Sequence, residues 1–130
     1  MKMLRVALVV ITEKGYILAA KRNHNRVFGD YWEFPGGKIE VGETPQQAVI
    51  RELHEEFGDR IEVKQPVLPP FTFTYEYATI EFNVFYAKLL THHYVLTAAS
   101  SYRWFRPNEL KNLNWPPANQ KIIEQIVRQL

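Results

Sequence analysis

The sequence predicts an α+β fold in one domain spanning residues 1–130, and three observations predict it. A chain of 130 residues is the size of one domain and can enclose a sizeable core. Two segments place apolar residues at helical spacing, one around Pro45–Phe57 and one at the C-terminus. The remaining apolar runs are short, alternating or bounded by Gly and Pro, as strands are. Strands interleaved with two main helices point to a sheet covered on both sides. Hydrophobic content of 46% and charged content of 23% are ordinary globular values.

Residues 3–12 are apolar on both faces and read as a central strand. Lys14-Gly15 turns the chain, and Tyr16–Arg22 reads as the partner strand. Asn23–Tyr31 is a polar loop, and Trp32–Phe34 a short extended segment stopped by Pro35-Gly36-Gly37. A helix follows, then a strand at Ile61–Lys64 and a proline-rich connection at Gln65–Pro70. Phe71, Phe73, Tyr75 and Tyr77 alternate with polar residues in a period-2 strand. Ile80–Leu89 is another, Thr91–Ser101 a loop, and Tyr102–Phe105 a short strand. Pro107–Leu110 makes one helical turn. Ile122, Ile123, Ile126, Val127 and Leu130 form the apolar stripe of a C-terminal helix. No internal repeat, low-complexity tract or linker interrupts the chain.

Composition excludes several functions. With no cysteine there is no disulfide and no thiolate metal site. A net charge of +2 is too small for a duplex-binding surface, so no stable nucleic-acid binding is expected. The run Val6–Ile11 is short and leads into Thr12-Glu13-Lys14-Gly15, which reads as a buried strand rather than a signal peptide. No stretch is long enough to span a membrane, and a cytoplasmic protein is expected.

The most informative segment is residues 37–59, GKIEVGETPQQAVIRELHEEFGD. Thr44 is a good N-cap, Pro45 suits the first helical position, and Gln47 completes a capping box. Gly58 supplies a left-handed stop. At about 100° per residue, Val49, Ile50, Leu53 and Phe57 share one arc and want a core. Glu52, Glu55 and Glu56 fall on a neighbouring arc. Glu55 and Glu56 lie in the last turn, where the helix dipole opposes them, and like charges at this spacing repel. A bound divalent cation would remove both penalties, because hard ions take carboxylate oxygens. The carboxylates alone leave a second reading open, a solvated acidic face.

This segment resembles the Nudix box, G-x5-E-x7-R-E-U-x-E-E-x-G-U, where U is bulky and aliphatic. Gly37, Glu43, Arg51, Glu52, Glu55, Glu56 and Gly58 match at their offsets, and Leu53 satisfies the first U. The last U is Asp59, which predicts a helix exit displaced by a residue or two. The resemblance implies an α/β/α sandwich around a mixed sheet. It implies that Glu52, Glu55 and Glu56, with the Gly37 carbonyl, hold Mg²⁺ (Mn²⁺ as substitute) and are the catalytic carboxylates. Glu52 would also orient or deprotonate the attacking water, while Arg51 and Glu43 would tie helix to loop.

Similarity to the MutT-type branch extends further, through EFPGGKIEVGETPQQAVIRELHEE at Glu33–Glu56 and Trp115-Pro116-Pro117-Ala118-Asn119. It implies a base pocket lined by Phe34 and Phe82, with Asn119 on the purine and Arg22 beside Phe34. Lys38 follows the two glycines and, with Arg22, suits a polyphosphate. Tyr77 is a further pocket position. Lys21 and Arg26 are read as solvated, His92 and His93 as a surface pair, and the alternative role for Asn119 is a helix N-cap. The implied activity is Mg²⁺-dependent hydrolysis of the small-molecule nucleoside triphosphate 8-oxo-dGTP to 8-oxo-dGMP and pyrophosphate, with water attacking the β-phosphorus. It would clear a mutagenic precursor from the nucleotide pool. Two alternatives stand: a Nudix enzyme for another nucleotide (CTP-like or modified pyrimidine triphosphate, or sugar nucleotide), and a non-catalytic Nudix-fold binding domain.

Overall fold

The computed structural model describes residues 2–96 and 99–130. The N-terminal apolar run forms β1, Lys2–Glu13, which runs parallel to β7, Ala78–Leu89, in unbroken register from Lys2↔Ala78 to Ile11↔Ala87. Its second half, Ala7–Ile11, is covered on both faces, which is why the sequence there is continuously apolar rather than alternating. Lys14 and Gly15 both take positive φ, the backbone of a two-residue hairpin turn. The following strand, β2 (Tyr16–Arg22), pairs with β1 only at Thr12↔Ile17 and Glu13↔Tyr16. Beyond the tip it diverges to pair with β3 (Trp32–Glu33) and β8 (Ala99–Phe105). The expected β1–β2 partnership is therefore confined to the hairpin tip.

The mixed sheet has the order β3-β2-β1-β7-β5, with β5 at Ile61–Pro66. β4 (Gly36–Lys38) lies antiparallel against β1, and β6 (Phe71–Thr74) against β7. Two helices cover it, α1 at Pro45–Phe57 and α2 at Asn119–Gln129. The alternation of β1 decides which helix meets which side chain. Ala7, Val9 and Ile11 pack with Ala48, Val49, Leu53 and Phe57 of α1. Val10 packs with Ile122, Ile123 and Ile126 of α2 on the opposite face. The α/β/α sandwich is thus seen directly, and no helix among the described residues is long and apolar enough to cross a membrane.

Several local expectations need correction. Gly36-Gly37-Lys38 reads as a turn but pairs as a strand with Leu8, Ala7 and Val6. The strand expected through Tyr77 ends at Thr74, and the chain turns over Tyr75-Glu76-Tyr77 into β7. Of the expected loop Thr91–Ser101, residues 97 and 98 lie outside the described residues, and Ala99–Ser101 already belong to β8. Pro107–Asn112 is a 3₁₀ helix rather than a single turn ending at Leu110. Ile50 is 45% exposed, and Ala48 takes its expected place in the core.

The helix exit is not displaced. α1 ends at Phe57, and Gly58 caps it with φ +68° while donating its N–H to His54 O at 2.9 Å. Asp59, standing where the motif has an aliphatic residue, is fully buried as a polar anchor. Its Oδ1 accepts from the Thr91 hydroxyl at 3.0 Å and from the His93 amide, and its Oδ2 from the Tyr94 amide at 2.9 Å. Ile61, two residues on, fills the core instead. Burial alone would raise the Asp59 pKa, but the two amides and the hydroxyl together hold it below its ordinary 3.8. A carboxyl depressed in the folded state stabilises fully above its unfolded pKa, and that contribution is lost as pH falls through the lower folded value. Asp59→Val would take the acceptor from these three donors and bury no charge in return, so thermal melts at pH 7 should show a loss of about 2–4 kcal/mol. Below about pH 4 the wild-type advantage should shrink. An unchanged melting temperature would refute the anchor.

Candidate active site

A cleft opens at one end of the sandwich, between β4, the β6–β7 turn and the start of α2. Its walls include Val6, Leu8, Arg22, Arg26, Phe28, Glu33, Phe34, Gly36, Gly37, Lys38, Tyr75, Tyr77, Ile80, Phe82, Pro116 and Asn119. Arg22, Phe34, Gly37, Lys38, Tyr77, Phe82 and Asn119, separate in the sequence, meet here as expected. The apolar part is closely packed. Phe34 is 2% exposed and stacks on Trp115 at 4.6 Å between centroids, and Phe82 stacks on Phe71 at 5.1 Å. Asn119 is buried to 6% exposure and is the first residue of α2. The N-cap is Ala118, which makes no side-chain cap, so the capping role for Asn119 is not seen.

The acidic side chains flank the cleft at Gly37 and Glu33. A Cβ at Gly37 would lie 2.5 Å from the Glu52 carboxyl carbon, so a side chain there would displace the Glu52 carboxylate. Arg51 organises this flank. Its Nε and Nη2 clasp Glu43 at 2.7 and 3.0 Å, Nη2 also reaches Lys38 O at 2.9 Å, and Nη1 meets Glu52 at 2.8 Å and Glu55 at 3.3 Å. The predicted Arg51–Glu43 tie between helix and loop is therefore present. Glu43 comes first among the partners that raise the Arg51 pKa. Glu56 lies on the other side of Glu52. Burial, then the charges of Glu33 and Glu52 and a hydrogen bond with Glu52, push its acid up to about 9.

Does this set suit a divalent ion? Glu52, Glu55, Glu56 and the Gly37 carbonyl offer only hard oxygen donors, the preference of Mg²⁺ and Mn²⁺. Glu56 is a buried acid crowded by Glu33 and Glu52, whose effect outweighs the opposing charge of Arg26, so further positive charge there would be favourable. The donor chemistry therefore fits. As the side chains stand, no three acidic or histidine groups among the described residues enclose an ion, since Glu52 and Glu55 turn toward Arg51.

Arg26, expected to be solvated, is exposed but also has a place in the site. It lines the cleft and meets Glu33 Oε2 at 3.2 Å, while Arg22 Nη1 takes Oε1 at 2.6 Å. Arg22 also donates from Nε to Val27 O at 2.8 Å, so it braces the 23–31 loop as well as facing the cleft. Glu33, Phe28 and Tyr75 complete the wall without having been singled out from the sequence. For Glu33 a signal existed, its place directly before Phe34 in the glycine-flanked segment. For Phe28 none did, because it reaches the cleft through a loop with positive φ at Phe28 and Asp30. His92 and His93 stay on the surface, with His92 against Glu13 at 2.9 Å and His93 64% exposed.

The chain matches the NUDIX domain family over residues 1–126. It is 31% identical over 129 residues to an 8-oxo-dGTP diphosphatase of Haemophilus influenzae, covering 98% of this chain and 94% of that one. It is 45% identical over 58 residues to a CTP pyrophosphohydrolase of Escherichia coli, covering 45% and 43%. Among solved structures, the MutT protein of methicillin-resistant Staphylococcus aureus 252 superposes with a TM-score of 0.79 at 31% identity, covering 100% of both chains.

Proposed function

Since the chain belongs to the NUDIX domain family and is a hydrolase of phosphoanhydride bonds, we propose that its substrate is 8-oxo-dGTP, cut by water to 8-oxo-dGMP and pyrophosphate. The observation that carries this reading is the continuity of two unlike regions. A flank of carboxylates meets, at Gly37 and Glu33, a cleft of aromatic rings with one buried amide. The first suits a charged polyphosphate with its counter-ion, the second a planar base.

A divalent ion held by Glu52, Glu55, Glu56 and the Gly37 carbonyl would, when bound, neutralise phosphate charge and activate water. The chain's own groups supply the rest. Lys38 and Arg22 line the cleft, and we assign them to the phosphates, whose oxygens pair with ammonium and guanidinium groups. Arg51 holds Glu52 in place through Nη1, and Glu52 is the group we assign to orient or accept a proton from the attacking water. The Phe34–Trp115 stack gives the base slot a fixed apolar floor, and Asn119 offers its amide to the base edge.

The test is a panel of triphosphates (8-oxo-dGTP, dGTP, CTP, modified pyrimidine and sugar nucleotides) with Mg²⁺, read for rate and for product. Highest kcat/KM for 8-oxo-dGTP with pyrophosphate released is the expected result. Best turnover of CTP would support the alternative raised by the partial likeness to the CTP enzyme. Asn119→Ala should lower the 8-oxo-dGTP to dGTP ratio of kcat/KM by about tenfold, the worth of one buried hydrogen bond. An unchanged ratio would remove Asn119 from base recognition.

A further inference from the structure

We propose that the Tyr75 hydroxyl contacts the substrate and, together with Asn119, reads the oxidised edge of the purine. The inference rests on the reading of this cleft as an 8-oxo-dGTP site, and deepens it. Tyr75 lies in the β6–β7 turn and lines the cleft. Its ring is held by Phe73 at 4.7 Å, Tyr77 at 5.4 Å and Phe28 at 5.8 Å between centroids. Its oxygen accepts the Ala118 amide at 3.0 Å, which sets it beside the residue preceding Asn119.

The hydrogen-bond accounting of these two side chains points to a ligand. A phenol has one proton to give and two lone pairs. Ala118 occupies one lone pair, and no acceptor among the described residues takes the proton. Burial pushes the Tyr75 phenol up, so the proton is retained at neutral pH. Asn119 is the complement. Its Nδ2 donates to Pro116 O at 3.2 Å, which leaves Oδ1 as an acceptor. The cleft therefore presents a donor on Tyr75 and an acceptor on Asn119, the first bonded to the backbone just before the second.

The matching ligand edge is an acceptor beside a donor. 8-Oxoguanine carries this at O8 and N7–H: O8 takes the Tyr75 proton and N7–H gives its own to Asn119 Oδ1. Guanine has C8–H and an acceptor N7, which would face Oδ1 acceptor to acceptor and leave Tyr75 without its partner at O8. A polar group left unpaired in this way is the strongest source of discrimination available to a small site. Both guanines share a second acceptor–donor edge, O6 beside N1–H, and a contact there would not separate them.

The experiment compares wild type with Tyr75→Phe, which keeps the ring contacts and removes the hydroxyl. Steady-state kinetics on 8-oxo-dGTP, dGTP and CTP are combined with calorimetry of 8-oxo-dGMP and dGMP. The expected result is a loss of about tenfold in the 8-oxo-dGTP to dGTP ratio of kcat/KM, carried by the oxidised nucleotide. The affinity for 8-oxo-dGMP should fall in parallel. Equal weakening of both guanine nucleotides, no weakening at all, or a loss confined to CTP would overturn the proposal while leaving the substrate reading in place. A wild-type enzyme without preference for 8-oxo-dGTP would overturn the substrate reading and the proposal with it. Should Tyr75→Phe fail to fold, wild type is titrated with 8-oxo-dAMP and dAMP, which differ at the same O8 and N7–H edge. Tighter binding of the oxidised nucleotide supports the proposal, and equal binding refutes it.

Discussion

Glu56→Gln is expected to reduce kcat by about 10²–10⁴-fold while leaving the fold intact or more stable. The two effects have one origin. Glu56 is a buried acid whose burial and neighbours Glu33 and Glu52 outweigh the opposing charge of Arg26, which makes its carboxylate costly. An amide of the same shape removes that cost and keeps the packing. It also removes a charged oxygen ligand from the site assigned to the divalent ion. Thermal melts in EDTA should give a melting temperature equal to or above that of wild type, and steady-state assays in Mg²⁺ should show the collapse. Glu55→Gln should behave similarly in turnover but with less gain in stability, because its side chain is 58% exposed and already meets Arg51. Full activity in both variants would contradict the metal assignment. Activity lost together with stability would make Glu56 structural instead.

Gly36→Ala is expected to be the most damaging single change to folding. Gly36 has φ +146°, a conformation nearly closed to residues with a side chain. A Cβ there would fall 2.1 Å from Ala7 O and 2.8 Å from Leu8 Cα, both backbone atoms of the central strand. Neither can move without breaking the β1–β4 pairing. The cost should reach about 4 kcal/mol or more, from backbone strain and overlap together. For a chain of this size that is a large part of total stability. The expected observation is a melting temperature lowered by about 10–20 °C, or no folded protein at all. Gly15 is the control: its φ is +83° but nothing lies within 4 Å of its added Cβ. Gly15→Ala should lose only about 1 kcal/mol, the strain of that backbone. Comparable losses at the two positions would contradict the account of Gly36.

The parts of this molecule that could be read from the sequence are those set by local rules. α1 was legible end to end because Thr44 and Gln47 exchange side-chain and backbone hydrogen bonds and Gly58 adopts the left-handed cap. β1 was legible because burial on both faces leaves a continuous apolar run. What escaped depends on partners distant in the sequence. β4 has two glycines and no strand propensity, and is a strand only because β1 offers its edge. Tyr75-Glu76-Tyr77 continues the alternation of β6 but belongs to a turn, since Tyr75 N bonds Ala78 O at 2.8 Å. Asp59 reads as a broken motif until the 91–95 segment is seen folding over it, with Val95 N on Phe57 O at 2.8 Å. In the site, the glutamates were expected from the resemblance of residues 37–59 to the Nudix box, and Asn119 from that of residues 115–119 to the MutT-type branch. Arg26 and Glu33 pair across a loop whose path no short-range pattern records.

The claim on which the account rests is that Glu52, Glu55 and Glu56 capture a divalent ion beside the cleft. Mn²⁺ titration followed by electron paramagnetic resonance tests it without reference to turnover. Wild type should take up Mn²⁺, more tightly when a non-hydrolysable 8-oxo-dGTP analogue is present, and Glu52→Gln and Glu56→Gln should each weaken that uptake at least tenfold. Equal uptake by wild type and both variants, or none by wild type with the analogue bound, would contradict the claim.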